Sequence, residues 1–148
     1  MSANSRFAVA THLVTVLAFA ERSAEGSEPV SSETLAQSVN TSAIVVRRLL
    51  GSLHEAGLVK AYPGRRGGVL LGRSPKQISL LDIHQAIDDP SIFMFSRNPP
   101  NPGCPIGSCV TELLERVFDG VQQAVDAELG KTRISDLLER ADRACSRR

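Results

Sequence analysis

Apolar positions recur at helical spacing from the start of the chain. Phe7, Ala10, Val14, Leu17 and Ala20 form one stripe within Ser5 to Arg22, which predicts an amphipathic helix. Arg6 followed by the run Phe7 to Ala20, closing on Ala18-Phe19-Ala20, also has the outline of a secretory leader. Thr11, His12 and Thr15 interrupt that run, so the helical stripe is the better account. Ser23 to Pro29 is small and polar and reads as a loop.

Two shorter helices follow. Ser31 or Ser32 can cap the first, with Glu33 in its opening turn and Leu35, Ala36 and Val39 facing inward. Asn40-Thr41-Ser42 makes a turn and a fresh cap. The next helix runs from about Ala43 to Ala56 with Val46, Leu49, Leu50 and Leu53 inward, and Gly57 stands where a left-handed residue closes a helix. Leu58 to Tyr62 and Val69 to Leu71 read as strands joined by the turn Pro63-Gly64-Arg65-Arg66-Gly67-Gly68. Two short helices across a tight polar turn, the second bearing arginines, followed by a hairpin, predict a winged helix-turn-helix.

Ser79 and Asp82 are placed for a capping box on a further helix, Leu80 to Asp88, which Asp89-Pro90 ends. Residues 91–108 carry four prolines and two glycines and predict a stiff irregular loop. Cys109 to Leu129 is then a long helix with the stripe Val110, Leu113, Leu114, Val117, Phe118, Val121, Val125 and Leu129, stopped by Gly130. A last short helix starts at Thr132 and runs through Leu137 and Leu138. The fold class expected is mainly α with a small β-hairpin wing: a winged helix-turn-helix over 1–89, a Pro/Gly-rich sensor-type loop with cysteines over 90–108, and a dimerisation helix with a C-terminal helix over 109–148. The long helix spans roughly 30 Å. A winged helix cannot cover that stripe, and the last helix is too short to pair with it inside one chain. A homodimer through the long helices is therefore expected.

Charge sharpens this picture. The total is +1, but Thr41 to Arg73 holds six basic residues against one acid, Glu55. That stretch carries +5 and the remainder −4, the footprint of a duplex-binding surface on a near-neutral protein. Aromatics make up only 4% and Trp is absent, which disfavours a stacking platform for single strands. No run is long enough to span a membrane, so a cytoplasmic protein without a membrane partner is expected. Phosphate-binding loops, dinucleotide fingerprints, nucleophile elbows and paired-histidine metal motifs are absent from the sequence, so an enzyme is not expected.

The order and spacing of these segments resemble the Rrf2 (Rrf-two) family of winged helix-turn-helix transcriptional regulators. The stretches that carry the resemblance are Ser5-Arg6-Phe7-Ala8, Ser32-Glu33-Thr34-Leu35-Ala36, Val45-Val46-Arg47-Arg48-Leu49-Leu50, Ala56-Gly57-Leu58-Val59, Gly64-Arg65-Arg66-Gly67-Gly68 and Ile78-Ser79-Leu80-Leu81-Asp82-Ile83. The resemblance extends over essentially the whole chain. The resemblance implies a dimer, a double-stranded DNA operator with two half-sites, and repression as the commonest output.

The expected DNA contacts follow from the helix-turn-helix. Thr41 and Ser42 suit phosphates at the helix start. Val45 and Arg48 are expected on the face opposite the buried stripe, flanked by Arg47, where arginines can reach guanine edges. Arg65 and Arg66 at the wing tip suit a narrow minor groove. A winged-helix interaction module without DNA binding is the alternative, and the retained arginines argue against it.

Cys104, Cys109 and Cys145 are too few for a disulfide framework. Cluster-binding relatives place three cysteines in one run in this loop, whereas this chain has two, so an iron–sulfur sensor would have an incomplete ligand set. A thiol switch is the other reading: Cys109, at the start of the long helix, is expected to be activated by its dipole and Cys104 to resolve it. Two small buried hydrophobes are the structural alternative. His12, His54 and His84 have no zinc-site spacing and read as surface or satisfied histidines, and no metal or other cofactor is expected.

Overall fold

In the computed structural model of the protein, residues 3–23, 28–87 and 91–146 are described, with only the backbone at 3 and 4. Most of the expected loop after the first helix, the stop at Asp89-Pro90 and the terminal Arg147-Arg148 lie outside them.

Six helices and one hairpin make up the described chain. They are α1 (Ala3–Ser23), α2 (Ser32–Val39), α3 (Ala43–Glu55), β1 (Val59–Tyr62), β2 (Gly68–Leu71), α4 (Leu80–Ala86), α5 (Val110–Leu129) and α6 (Ile134–Cys145), with a 3₁₀ turn over Pro75–Gln77. The segment with leader-like composition is the central helix of the core. Ala10, Leu13, Val14, Leu17 and Ala18 are fully buried, a wider face than the expected stripe, while Ala20 is only partly covered. Burying five apolar residues on one side fixes α1 as the post around which α2, β2, α4 and α6 pack.

The helix-turn-helix closes as its polar residues dictate. Ser31 Oγ accepts from the Thr34 N–H at the start of α2. Asn40 adopts a left-handed conformation (φ 50°) and ends it, Thr41 N–H donates to the Ala36 carbonyl, and Ser42 caps α3 by accepting from Val45 N–H. Gly57, with φ 71°, turns the chain from α3 into β1. β1 and β2 pair antiparallel from Val59↔Leu71 to Tyr62↔Gly68. Val30 adds a one-residue third strand through two hydrogen bonds with Val69, 3.0 and 2.9 Å. Gly68 (φ 157°) must be glycine there, because a Cβ would collide with the Val30 carbonyl.

The capping box forms as read: Asp82 Oδ2 accepts from Ser79 N–H at 2.7 Å, and Ser79 Oγ accepts from Asp82 N–H at 3.1 Å. Two features exceed the sequence reading. First, the last helix continues to Cys145, because Glu139, Arg140, Ala141 and Ala144 are good helix formers that carry no apolar stripe to reveal them. Second, α6 returns to the N-terminal core. Ile134 and Leu138 are buried, Ile134 N–H donates to the Ile78 carbonyl at 2.9 Å, and Arg22 grips Asp142 with two hydrogen bonds of 2.7 and 2.8 Å.

α5 is the exception to this packing. It has no buried residue; Leu113 is 60% exposed and Val117 58%, with Leu114 also exposed. Part of its stripe is covered from within: α4 lies against the helix, Val121, Val125 and Leu129 are half-buried, and a strap at residues 92–95 meets Phe118. Phe93 and Phe95 each lie 5.1 Å from the Phe118 ring, and Ile92 N–H donates to Gln122 Oε1.

Candidate nucleic-acid interface

α3 presents its N-terminal turn and one outer face. With Val46, Leu49, Leu50 and Leu53 buried, a 100° step per residue puts the outward face on Ile44, Arg48 and Gly51, with Glu55 one turn further on. The structure agrees: all three are exposed, Ile44 at 69%. Val45, expected beside Arg48 on this face, instead turns partly against the core. The four buried positions contained that information, since 100° steps from the centre of the stripe place Ile44 opposite it and Val45 to one side.

The remaining expected contacts are distributed around α3. Ser42 is exposed and Thr41 half-buried at its start. Arg47 is exposed but engaged inside the protein. Its guanidinium pairs with the Glu33 carboxylate and its Nε donates to Ser32 Oγ at 3.1 Å, tying α3 to the start of α2. The Glu33 carboxylate lies below the usual carboxylate range, chiefly because its own backbone N–H at the helix start favours the charged form, with Ser32 and Arg47 adding to it. Arg48, Arg65 and Arg66 are exposed and make no ion pair among the described residues.

The wing flanks α3. A cleft of about 270 Å³ between them is lined by Arg47, Gly51 and His54 from α3 and by Val59, Ala61 and Val69 from the hairpin. At the hairpin tip, Gly67 N–H closes the turn on the Gly64 carbonyl at 3.0 Å, and Arg65 and Arg66 project between them. Recognition-helix start, outer face and wing thus form one surface on which Arg48, Arg65 and Arg66 are unpaired among the described residues, while Arg47 is matched by Glu33 and Glu55 stands at the far end of the helix.

The cysteine loop orients its two thiols differently. Cys109 stands at the N-cap of α5, yet its side chain makes no cap bond. The thiol instead points backward, donating to the carbonyls of Ile106 (3.5 Å) and Pro105 (3.6 Å). Cys104 is exposed, and the backbone N–H groups of Gly107 and Ile106 lower its thiol from the ordinary range. The turn is fixed by Cys104 N–H to the Asn101 carbonyl and Gly103 N–H to Asn101 Oδ1. Cys145 is exposed on α6.

The donor set does not fit an iron–sulfur cluster within one chain. The loop offers two thiols, one of them hydrogen-bonded to carbonyls. No group of three or more His, Cys, Asp or Glu among the described residues is placed to hold a metal ion. His84, read as satisfied, is buried edge-on to Phe7 with its Nδ1 unpartnered among the described residues. No helix of the described residues is long and apolar enough to cross a membrane.

Comparison with known proteins gives one consistent answer. Residues 3–140 match the family model Rrf2, described as iron-dependent transcriptional regulator. The chain is 33% identical over 135 residues to YwnA of Bacillus subtilis, named an HTH-type transcriptional regulator, covering 91% of this chain and 96% of that one. It is 29% identical over 145 residues to the HTH-type transcriptional regulator IscR of Cereibacter sphaeroides, covering 98% and 90%. Among solved structures, a transcriptional regulator from Lactobacillus plantarum superposes with a TM-score of 0.76 at 25% identity, over 93% of this chain and 89% of that one.

Proposed function

The chain belongs to the Rrf2 family of transcriptional regulators, and we propose that within it the protein is a homodimeric, cytoplasmic repressor whose hold on its operator answers to oxidation. It is a DNA-binding regulator and not an enzyme, as its relatives are. The observation that carries the DNA contact is the set of exposed cations on α3 and the wing, Arg48, Arg65 and Arg66, beside the capped start of α3 at Thr41 and Ser42. Arg48 sits on the outer face of a recognition helix and suits a guanine edge. Arg65 and Arg66, on a glycine-bounded tip, suit backbone or minor-groove contact. Arg47 reaches the duplex only by leaving Glu33 or by carrying it along.

Two substitutions test this reading. Arg48→Ala is expected to weaken operator binding and to relax preference at one position, by about 1–3 kcal/mol. Arg65→Ala is expected to weaken binding to all duplexes and to lower the salt slope by about one. Titration of labelled duplex at several salt concentrations checks both. Unchanged affinity in both variants would remove this surface from the interface.

The redox reading rests on Cys104. Its thiolate, favoured by two amides, attacks one oxygen of hydrogen peroxide; hydroxide leaves and a sulfenic acid forms. Condensation with the thiol of Cys109, the other cysteine of this loop, releases water and leaves a disulfide at the root of α5. The expected roles are thereby exchanged, with Cys104 attacking and Cys109 resolving. Peroxide is expected to change operator affinity in the parent protein, while Cys104→Ser abolishes that response and Cys109→Ser leaves a sulfenic acid that a dione reagent traps. A Cys104→Ser protein that responds like the parent would end this reading.

A further inference from the structure

Two features of α3 have no explanation inside the monomer. Ile44, a β-branched apolar residue in the first turn, is 69% exposed although the core cluster lies on the opposite side of the same helix. Gly51 lies two turns further along the same face, in mid-helix, where glycine costs about 1 kcal/mol relative to alanine. Nothing internal requires it, because a Cβ there would meet no atom within 4 Å. A lone surface isoleucine is commonplace. An apolar knob and a bare patch seven residues apart, with the exposed Arg48 between them, make a shaped surface.

We propose that this face is fitted to a thymine-bearing major groove, with Ile44 packing on the C5-methyl group of a thymine and Gly51 giving the clearance that lets the sugar–phosphate ridge approach the helix. The inference rests on the DNA-binding reading above and adds which base group is read and by what. Charge selects the occupant: Arg48 stands exposed on this face and the stretch from Thr41 to Arg73 carries +5 with Glu55 counted, so a polyanion is favoured over an apolar protein helix. The major groove is also where thymine exposes a methyl group, which aliphatic side chains contact. Ser42, capping α3 two residues before Ile44, sets the helix start against a phosphate and so fixes how deep Ile44 sits.

The test uses the full-length protein and a duplex it selects for itself from a random-sequence pool. Each thymidine of that duplex is replaced in turn by deoxyuridine, which removes only the methyl group. The parent protein is expected to bind one substituted position per half-site about fourfold more weakly, the worth of one buried methyl. Ile44→Ala is expected to bind the unsubstituted duplex more weakly and to be indifferent to deoxyuridine at that position. Ile44 is exposed, so this variant keeps its fold. Gly51→Ala is expected to raise the thermal midpoint while weakening binding to every duplex alike. Parent binding insensitive to all deoxyuridines, or Ile44→Ala losing as much as the parent at the sensitive position, would overturn the assignment of Ile44. Gly51→Ala binding as tightly as the parent would overturn the clearance. A pool from which no sequence is enriched would instead strike the DNA-binding reading itself.

Discussion

Aspartate at both Leu113 and Val117 is expected to leave a folded monomer that has lost its operator. These side chains, with Leu114, are the exposed part of the α5 stripe, while the strap of Phe93 and Phe95 packs at Phe118. Burying a leucine or valine contributes about 1.5–3 kcal/mol. Two per protomer, doubled by a two-fold axis, give roughly 6–12 kcal/mol of gross gain, from which the cost of association is subtracted. Four carboxylates brought together would remove that gain and add repulsion. Neither residue touches the core that α1 organises, so the helical signal in circular dichroism should persist. Sedimentation equilibrium reads the mass directly. Two half-sites held by one dimer gain about 10²–10⁴ in avidity over a single domain. A double variant that stays dimeric and keeps its operator affinity would show that another surface joins the protomers.

Ile134→Ala is expected to cost about 2–5 kcal/mol of stability, a large part of the roughly 5–15 kcal/mol typical of a domain. Ile134 is fully buried at the start of α6, and its N–H is bonded to Ile78. The Leu80 N–H donates to the Thr132 carbonyl beside it. A cavity there lies between the C-terminal helix and the α1–α4 core, where the backbone bonds limit collapse. Denaturant titration at one fixed protein concentration should show a lower midpoint with an unchanged slope. Leu137→Ala, only partly buried, should cost less. A loss at Ile134 below about 1 kcal/mol would mean that α6 is not part of the main core.

The legible parts of this protein were those written in local chemistry. The two-helix unit with its Asn40–Ser42 turn, the glycine at 57, the hairpin and the Ser79–Asp82 box each follow from residues within a few positions of one another. So does the basic surface, since clustering of charge along the chain survives folding when the cluster spans one helix and its adjoining hairpin. The orientation of the thiols was not legible in this way, because which backbone groups a sulfur meets depends on the path of the loop. The path of residues 101–109 turns Cys109 toward carbonyls and gives the amides of Ile106 and Gly107 to Cys104.

What the sequence determined by itself, then, is the identity and order of the elements, because capping, helical periodicity and turn residues act over three to seven positions. What only the tertiary structure decided is how distant segments meet. The docking of α6 on α1, the grip of Arg22 on Asp142, the pairing of Val30 with Val69 and the capture of Arg47 by Glu33 join residues 14 to 120 positions apart. Contacts at such separations depend on which faces the packed core leaves open, and local pattern carries no record of that.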